Sequence, residues 1–381
     1  MIKLVFRGLF MLKKLLFCFS FCFFIAFFCV QAYALDISAK NAVLIEYESG
    51  DIIFSKNAFS RAPMASTTKI MTAIVAIENG NLDRVIEIPL EAVGVEGSSI
   101  YLKEGEQLTL RELLYALLLE SANDAAVAIA LEVGGSLENF VQMMNDKAVE
   151  LSLENTNFTN PHGLDNENHY TTAYDLAQIA RYAMQNPCFC EIASTKKQII
   201  PSLDGERVLI NHNKLLKSYE GAIGIKTGFT KKSGRCLVSC AERDGVKLIA
   251  VTLNAPSDWN DHSSMLDLGF DKYEYLSLAE TGDYILRLHC VGGQRSEITC
   301  GNLSSLGITL KKGDAERIVA SFESERFLYA PIKQGTRVGK IIYSLDGQEI
   351  ASLEIYALES VNAIQNKKSI FERIFNRYGK D

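Results

Sequence analysis

The chain has 381 residues, 48% hydrophobic and 22% charged, with a formal net charge of −7. It is too long for one ordinary domain and too apolar for disorder, so at least two packed domains are expected. The acidic balance excludes a broad basic surface for nucleic acid, and no nucleic-acid partner is expected.

Residues 1–34 differ from the rest: they carry Lys3, Arg7, Lys13 and Lys14 and no acid. Without them the chain holds 35 basic against 46 acidic residues, a net of −11. Lys13 and Lys14 precede a near-continuous apolar run from Leu15 to Val30, followed by Ala32-Tyr33-Ala34. A positive start, an apolar middle and a small-x-small end make a secretory signal peptide, with cleavage expected after Ala34. A retained membrane helix is the alternative, but the run is short and lacks stop-transfer charges on its distal side. An exported, extracytoplasmic protein is therefore expected.

After the leader, Asn41–Glu48 and Asp51–Ser55 read as strands around the turn signal Ser49-Gly50. An apolar helix is predicted from Thr67 to Glu78, closed by Asn79-Gly80. Helical spacing recurs over Leu110–Leu119, Asp124–Val133, Leu137–Leu151 and Thr172–Met184. Arg235–Glu242 and Val246–Leu253 then form a β-hairpin about Arg243-Asp244-Gly245, and Asp261–Tyr273 a closing helix. Strands, a helical block and strands again predict an α+β domain over 35–278, an antiparallel sheet flanked by helices.

Residues 282–358 show only short strand-like runs (Tyr284–Leu288, Arg317–Ser321, Gly339–Ser344, Ile350–Tyr356), which predicts a small all-β domain. Six cysteines follow the leader: Cys188, Cys190, Cys236, Cys240, Cys290 and Cys300. Cys236 and Cys240 are expected on one face of a strand as small core residues. Cys290 and Cys300, flanking a turn-rich segment, form the pair best placed to oxidise, though simple packing serves all six. No cysteine or histidine spacing suggests a metal, and no cofactor is expected.

Residues 360–381 carry Lys367, Lys368, Arg373, Arg377 and Lys380 against Glu372 and Asp381, a local +3 in an acidic protein. Ile364, Phe371, Ile374, Phe375 and Tyr378 recur at helical spacing between the bases. This is the pattern of an amphipathic helix lying in a membrane interface, and it predicts peripheral attachment to the outer face of the cytoplasmic membrane.

Three short motifs carry the chemistry. In Ser66-Thr67-Thr68-Lys69 the serine and lysine share a face one helical turn apart. A serine needs a base in reach. Burial of this apolar helix and its positive N-terminus both push Lys69 towards the neutral amine. Ser121-Ala122-Asn123 breaks two apolar helices, where a loop can project a hydroxyl and an amide into a cleft. Lys226-Thr227-Gly228, with Phe229 after it, offers a cation, a hydroxyl and a close backbone approach, which suits a substrate ending in a carboxylate. Singly, these motifs also read as a helix cap, a helix break and a turn.

Their order and their intervals, 55 residues from Ser66 to Ser121 and 103 from Asn123 to Lys226, change the reading. From Asp36 to Leu358 the chain resembles the low-molecular-weight penicillin-binding proteins, specifically the serine-type D-alanyl-D-alanine carboxypeptidases. Asn160-Pro161-His162-Gly163-Leu164-Asp165 is similar to that family's segment after the second motif. The resemblance implies a β-lactamase/transpeptidase-like domain followed by the family's small C-terminal β domain and its membrane anchor. It implies that Ser66 attacks a peptidoglycan stem peptide ending in D-Ala-D-Ala, that Lys69 takes its proton, and that Ser121 and Asn123 complete the catalytic set. Lys226, Thr227, Gly228 and Phe229 would bind the substrate, with the N–H groups of Ser66 and Phe229 as the oxyanion hole. β-Lactam antibiotics would acylate Ser66. A β-lactamase, an endopeptidase and a non-enzymatic cell-wall binding protein remain alternatives on the same fold.

Overall fold

A computed structural model describes residues 35–324 and 327–364 of the chain. The expected leader, and residues 365–381 of the tail helix expected over 360–381, lie outside the described residues. The described residues from Ser38 to Ile364 belong to one compact unit.

Strand β1 (Asn41–Glu46) is buried at all six positions, so its run of apolar residues does not alternate. It turns back into β2 (Ile52–Lys56) through Ser49-Gly50, where Gly50 takes φ +78°. The chain then leaves the sheet and builds helices. A 3₁₀ turn, Ala65–Thr68, leads into α1 (Lys69–Asn79), whose first eight residues are all buried because the helix is apolar on every side. After the small ribbon β3 (Val85–Glu87) and β4 (Gln107–Thr109) come α2 (Leu110–Leu119) and α3 (Asn123–Gly134). Helix α2 opens with a capping box in which Glu112 N–H donates to Thr109 Oγ1 and Thr109 N–H to Glu112 Oε2. Helices α4 (Leu137–Glu150), α5 (Ala173–Ala183) and α6 (Pro187–Ser194) start at the caps Ser136, Thr172 and Asn186.

The hairpin β5 (Lys197–Ser202) and β6 (Gly205–Ile210) and the short α7 (Leu215–Ser218) return the chain to the sheet. Strands β7 (Ala222–Thr230), β8 (Gly234–Arg243) and β9 (Val246–Leu253) follow, and α8 (Asp258–Lys272) closes the segment. Asp244 and Gly245 both take positive φ between β8 and β9, as a two-residue type I′ hairpin requires. The sheet is antiparallel in the order β2-β1-β9-β8-β7, so strands from the two ends of the segment meet at β9. Helices α5 and α8 pack on that central strand. This is the expected α+β arrangement.

Strand β10 (Tyr273–Ala279) runs directly on from α8 and pairs with β13 (Leu306–Lys311). The remaining strands are β11 (Ile285–Val291), β12 (Glu297–Gly301), β14 (Ile318–Ser324), β15 (Leu328–Tyr329), β16 (Arg337–Leu345) and β17 (Gln348–Ala357). They form a second sheet in the order β14-β16-β17-β12-β11-β15, over a core that includes Cys290, Cys300, Ile341, Tyr343 and Ile355. All six described cysteines are free thiols. Cys290 and Cys300 do not pair because the register sets Cys300 opposite Leu286, four residues from Cys290. Cys236 and Cys240 are both buried on β8, as expected. The tail helix expected from residue 360 does not begin there: Val361 bridges Ile332, Ala363 bridges Gly293 and Ile364 N–H donates to Gly292 O, so backbone pairing with the β domain holds residues 361–364 out of a helix.

Candidate active site

The 3₁₀ turn at Ala65–Thr68 brings Ser66 and Lys69 together, since three residues per turn place i and i+3 one above the other. Lys69 is fully buried, and its Nζ lies 3.1 Å from Ser66 Oγ, 2.7 Å from Asn123 Oδ1 and 2.6 Å from the His162 carbonyl. The last two can only accept. A neutral amine has two N–H bonds to give, so donating both to these carbonyls leaves its lone pair for the Ser66 hydroxyl. Burial holds the Lys69 pKa well below the usual lysine range; the charge of Lys226 lowers it further, and Asp124 opposes both.

The second motif enters through the break between α2 and α3. Ser121 takes φ +60°, and its Oγ is buried without a hydrogen-bond partner. Asn123 is the first residue of α3, and its side-chain N–H donates to the Glu96 carbonyl at 2.5 Å. The neighbouring Asp124 collects the Ser99 hydroxyl at 2.6 Å and the Leu102 N–H at 3.0 Å, which ties the 98–102 loop to the start of α3.

The third motif lies on β7, at the edge of the sheet. Lys226 is buried, its Nζ donates to Thr227 O at 3.0 Å, and burial lowers its pKa to about 7 against the raising effect of Glu120. A Cβ built on Gly228 would stand 3.0 Å from Ser66 N, so β7 runs close beside the turn that carries Ser66. Phe229 is 64% exposed. Ser66, Ser121, Thr227, Gly228 and Phe229 line one cavity of 330 Å³, with Lys69, Asn123 and Lys226 buried beneath it. The structure thus brings all eight residues singled out from the sequence to one place.

Other residues at this place were not anticipated. Arg235 stands opposite Phe229 in the β7–β8 register, lines the cavity and pairs with Asp258 at 2.9 Å. A base beside a K-T-G strand was the available signal. His169 is buried; its Nδ1 accepts from Thr159 N–H at 3.0 Å, so its Nε2–H donates to Thr68 Oγ1 at 2.8 Å. Burial lowers its pKa to about 4, and it stays neutral. His212 and Trp259 also line the cavity. His262 does not: it is fully buried between Ser239 and Thr252.

The unfolded chain titrates a lysine near about 10.4. Between about 7 and that value the unfolded chain binds the extra proton, so stability rises with pH. From pH 7 to pH 9, wild type should gain about 2 kcal/mol relative to Lys226→Met in denaturant unfolding. Parallel pH dependences would contradict this.

Residues 29–257 match the family described as D-alanyl-D-alanine carboxypeptidase, and residues 273–363 match the C-terminal domain of penicillin-binding protein 5. The D-alanyl-D-alanine carboxypeptidase DacF of Bacillus subtilis is 33% identical over 85% of this chain and 86% of its own length. DacC of Escherichia coli is 31% identical over 93% and 92%. Among solved structures, penicillin-binding protein 5 from Haemophilus influenzae is 30% identical with a TM-score of 0.68, covering 87% of this chain and 99% of that one. PBP3 from Streptococcus pneumoniae, at 26% identity, gives a TM-score of 0.73 over 86% and 100%.

Proposed function

The chain belongs to the D-alanyl-D-alanine carboxypeptidase family, and from that premise we propose how its residues divide the reaction. It is a serine-type D-alanyl-D-alanine carboxypeptidase of cell-wall remodelling. Ser66 Oγ attacks the carbonyl between the two D-alanines of a stem peptide, and Lys69 Nζ takes its proton. The N–H groups of Ser66 and Phe229 hold the oxyanion; losing one such donor costs about 2.7–4 kcal/mol. Lys226, Thr227 and Arg235 receive the terminal carboxylate. Ser121, whose hydroxyl has no partner of its own, passes the proton to the departing D-alanine. Water then hydrolyses the acyl-enzyme. β-Lactams acylate Ser66 as analogues of the substrate's end.

The observation that carries this reading is the Lys69 amine, which gives its N–H bonds to Asn123 and His162 and faces Ser66 Oγ. The β-lactamase alternative needs a carboxylate on a deacylating water. Glu120 is engaged elsewhere: it accepts from Ile210 N–H at 2.6 Å and lies 3.1 Å from His212 Nε2. In the test, the protein is incubated with a diacetyl-Lys-D-Ala-D-Ala peptide and free D-alanine is measured. Wild type should release it and Ser66→Ala should not; equal release by both would refute the assignment.

The reading extends to location. Residues 1–34 act as an export signal, which puts the enzyme outside the cytoplasm, and residues 365–381 attach it to the membrane surface as an amphipathic helix. Among the described residues no helix is long and apolar enough to cross a membrane. Truncation after Ile364 should move the enzyme from the membrane to the soluble fraction with D-alanine release intact. Unchanged partitioning would remove the anchor from the reading.

A further inference from the structure

A second cavity, of 870 Å³, opens where the β1–β2 and β8–β9 turns face β10, β13 and the β16–β17 hairpin. One part of its lining is apolar: Tyr273, Tyr275, Leu306, Ile308, Leu310 and Ile350. Its charged lining is nearly all of one sign, with Glu46, Glu48, Asp51 and Asp314 against Lys311. Glu46 is 1% exposed. Its Oε2 accepts from the Ser49 N–H at 2.6 Å and the Ser49 hydroxyl at 2.9 Å, but its Oε1 is buried with no hydrogen-bond partner. A carboxylate oxygen is stable in so dry a place only when a donor or a cation compensates it. Tyr273 adds no charge to the cavity: burial raises its pKa, and Asp51, Glu46 and Asp314 raise it further, so its phenol stays neutral. Nor do any three His, Cys, Asp or Glu side chains among the described residues converge to hold a metal ion.

We propose that this cavity binds an organic ammonium on an aliphatic stem, its head on Glu46 and its stem along the Leu306, Ile308 and Ile350 wall. The acids at the mouth favour a cation on approach, and the apolar wall gains by covering the stem. The site is separate from the cleft of Ser66, because the two cavities share no lining residue.

The test is calorimetric titration of the full-length protein with cadaverine, with pentanediol as the uncharged analogue of the same length. Cadaverine should bind and pentanediol should not, and Glu46→Gln should weaken cadaverine at least about tenfold. Benzylpenicillin labelling of Ser66 in the variant reports that it is folded. Should Glu46→Gln fail to fold, the exposed pair Glu48→Gln with Asp51→Asn should weaken binding about threefold by charge alone. A capped lysine amide, run in parallel, tells a peptide-borne ammonium from a free one; binding by either supports the site. Enzyme already acylated by benzylpenicillin should bind cadaverine as before. The proposal is overturned if neither amine binds, if pentanediol binds as well, if the Glu46 or mouth variants bind unchanged, or if acylation abolishes binding.

Discussion

Lys69→Met should fold and yet lose acylation by benzylpenicillin and D-alanine release by roughly a thousandfold or more, since a positioned base contributes about 10²–10⁴. Methionine fills a similar volume but has no lone pair to take the Ser66 proton, and it leaves Asn123 Oδ1 and the His162 carbonyl without their donor. Lys69→Arg separates two roles, because a guanidinium keeps the charge and cannot give up its proton. Both variants should be inactive in stopped-flow labelling. Substantial activity in the arginine variant would mean that Lys69 acts only as a charge. In wild type, lowering the pH should protonate Lys69 and slow acylation. Because burial and Lys226 depress its pKa well below the ordinary lysine range, activity should persist at neutral pH rather than require alkaline conditions.

Gly163→Ala should be the most damaging single-methyl change near the site. Gly163 takes φ +91°, and a Cβ there would overlap the Ala65 carbonyl, backbone that has no flexible end to swing away. Ala65 is the residue before Ser66 and itself takes φ +48°. Pushing the two segments apart moves the nucleophile and withdraws the neighbouring His162 carbonyl from Lys69. The combined backbone strain and overlap should cost about 3 kcal/mol of stability. Acylation should fall about a hundredfold, the typical effect of misplacing reacting groups by about 1 Å. Denaturant unfolding and the acylation rate measure the two effects. A variant that acylates at the wild-type rate would show that the 160–164 segment does not position Ser66.

The element types followed from periodicity where the packing was simple. The helix over Leu110–Leu119 and the β8–β9 hairpin were both legible, because a capping box and an Asp-Gly turn mark their ends locally. The hairpin Lys197–Ser202 with Gly205–Ile210 was not. Pro201 argues against a strand, and Ile200 and Leu209 are buried while Ile199, Val208 and Ile210 are exposed, so apolar residues fall on both faces and no alternation announced it. Strands β12 and β13 were missed because they are only five and six residues long, and β13 pairs with β10, which is distant in sequence.

By itself the sequence determined which chemical groups this protein has and in what order, because a serine one turn before a lysine, a helix break with a serine and an asparagine, and a K-T-G strand are local patterns. Tertiary structure decided what those groups can do. The lowered pKa of the amine depends on burial among α1, α3 and the 160–164 segment, and on a second lysine from β7. Solvation and charge–charge interaction act through space between residues up to 157 positions apart, from Lys69 to Lys226, and no sequence spacing encodes that distance. The same holds for Glu46, an ordinary acid in the sequence, whose unpaired oxygen exists only because the sheet and the late β strands close over it.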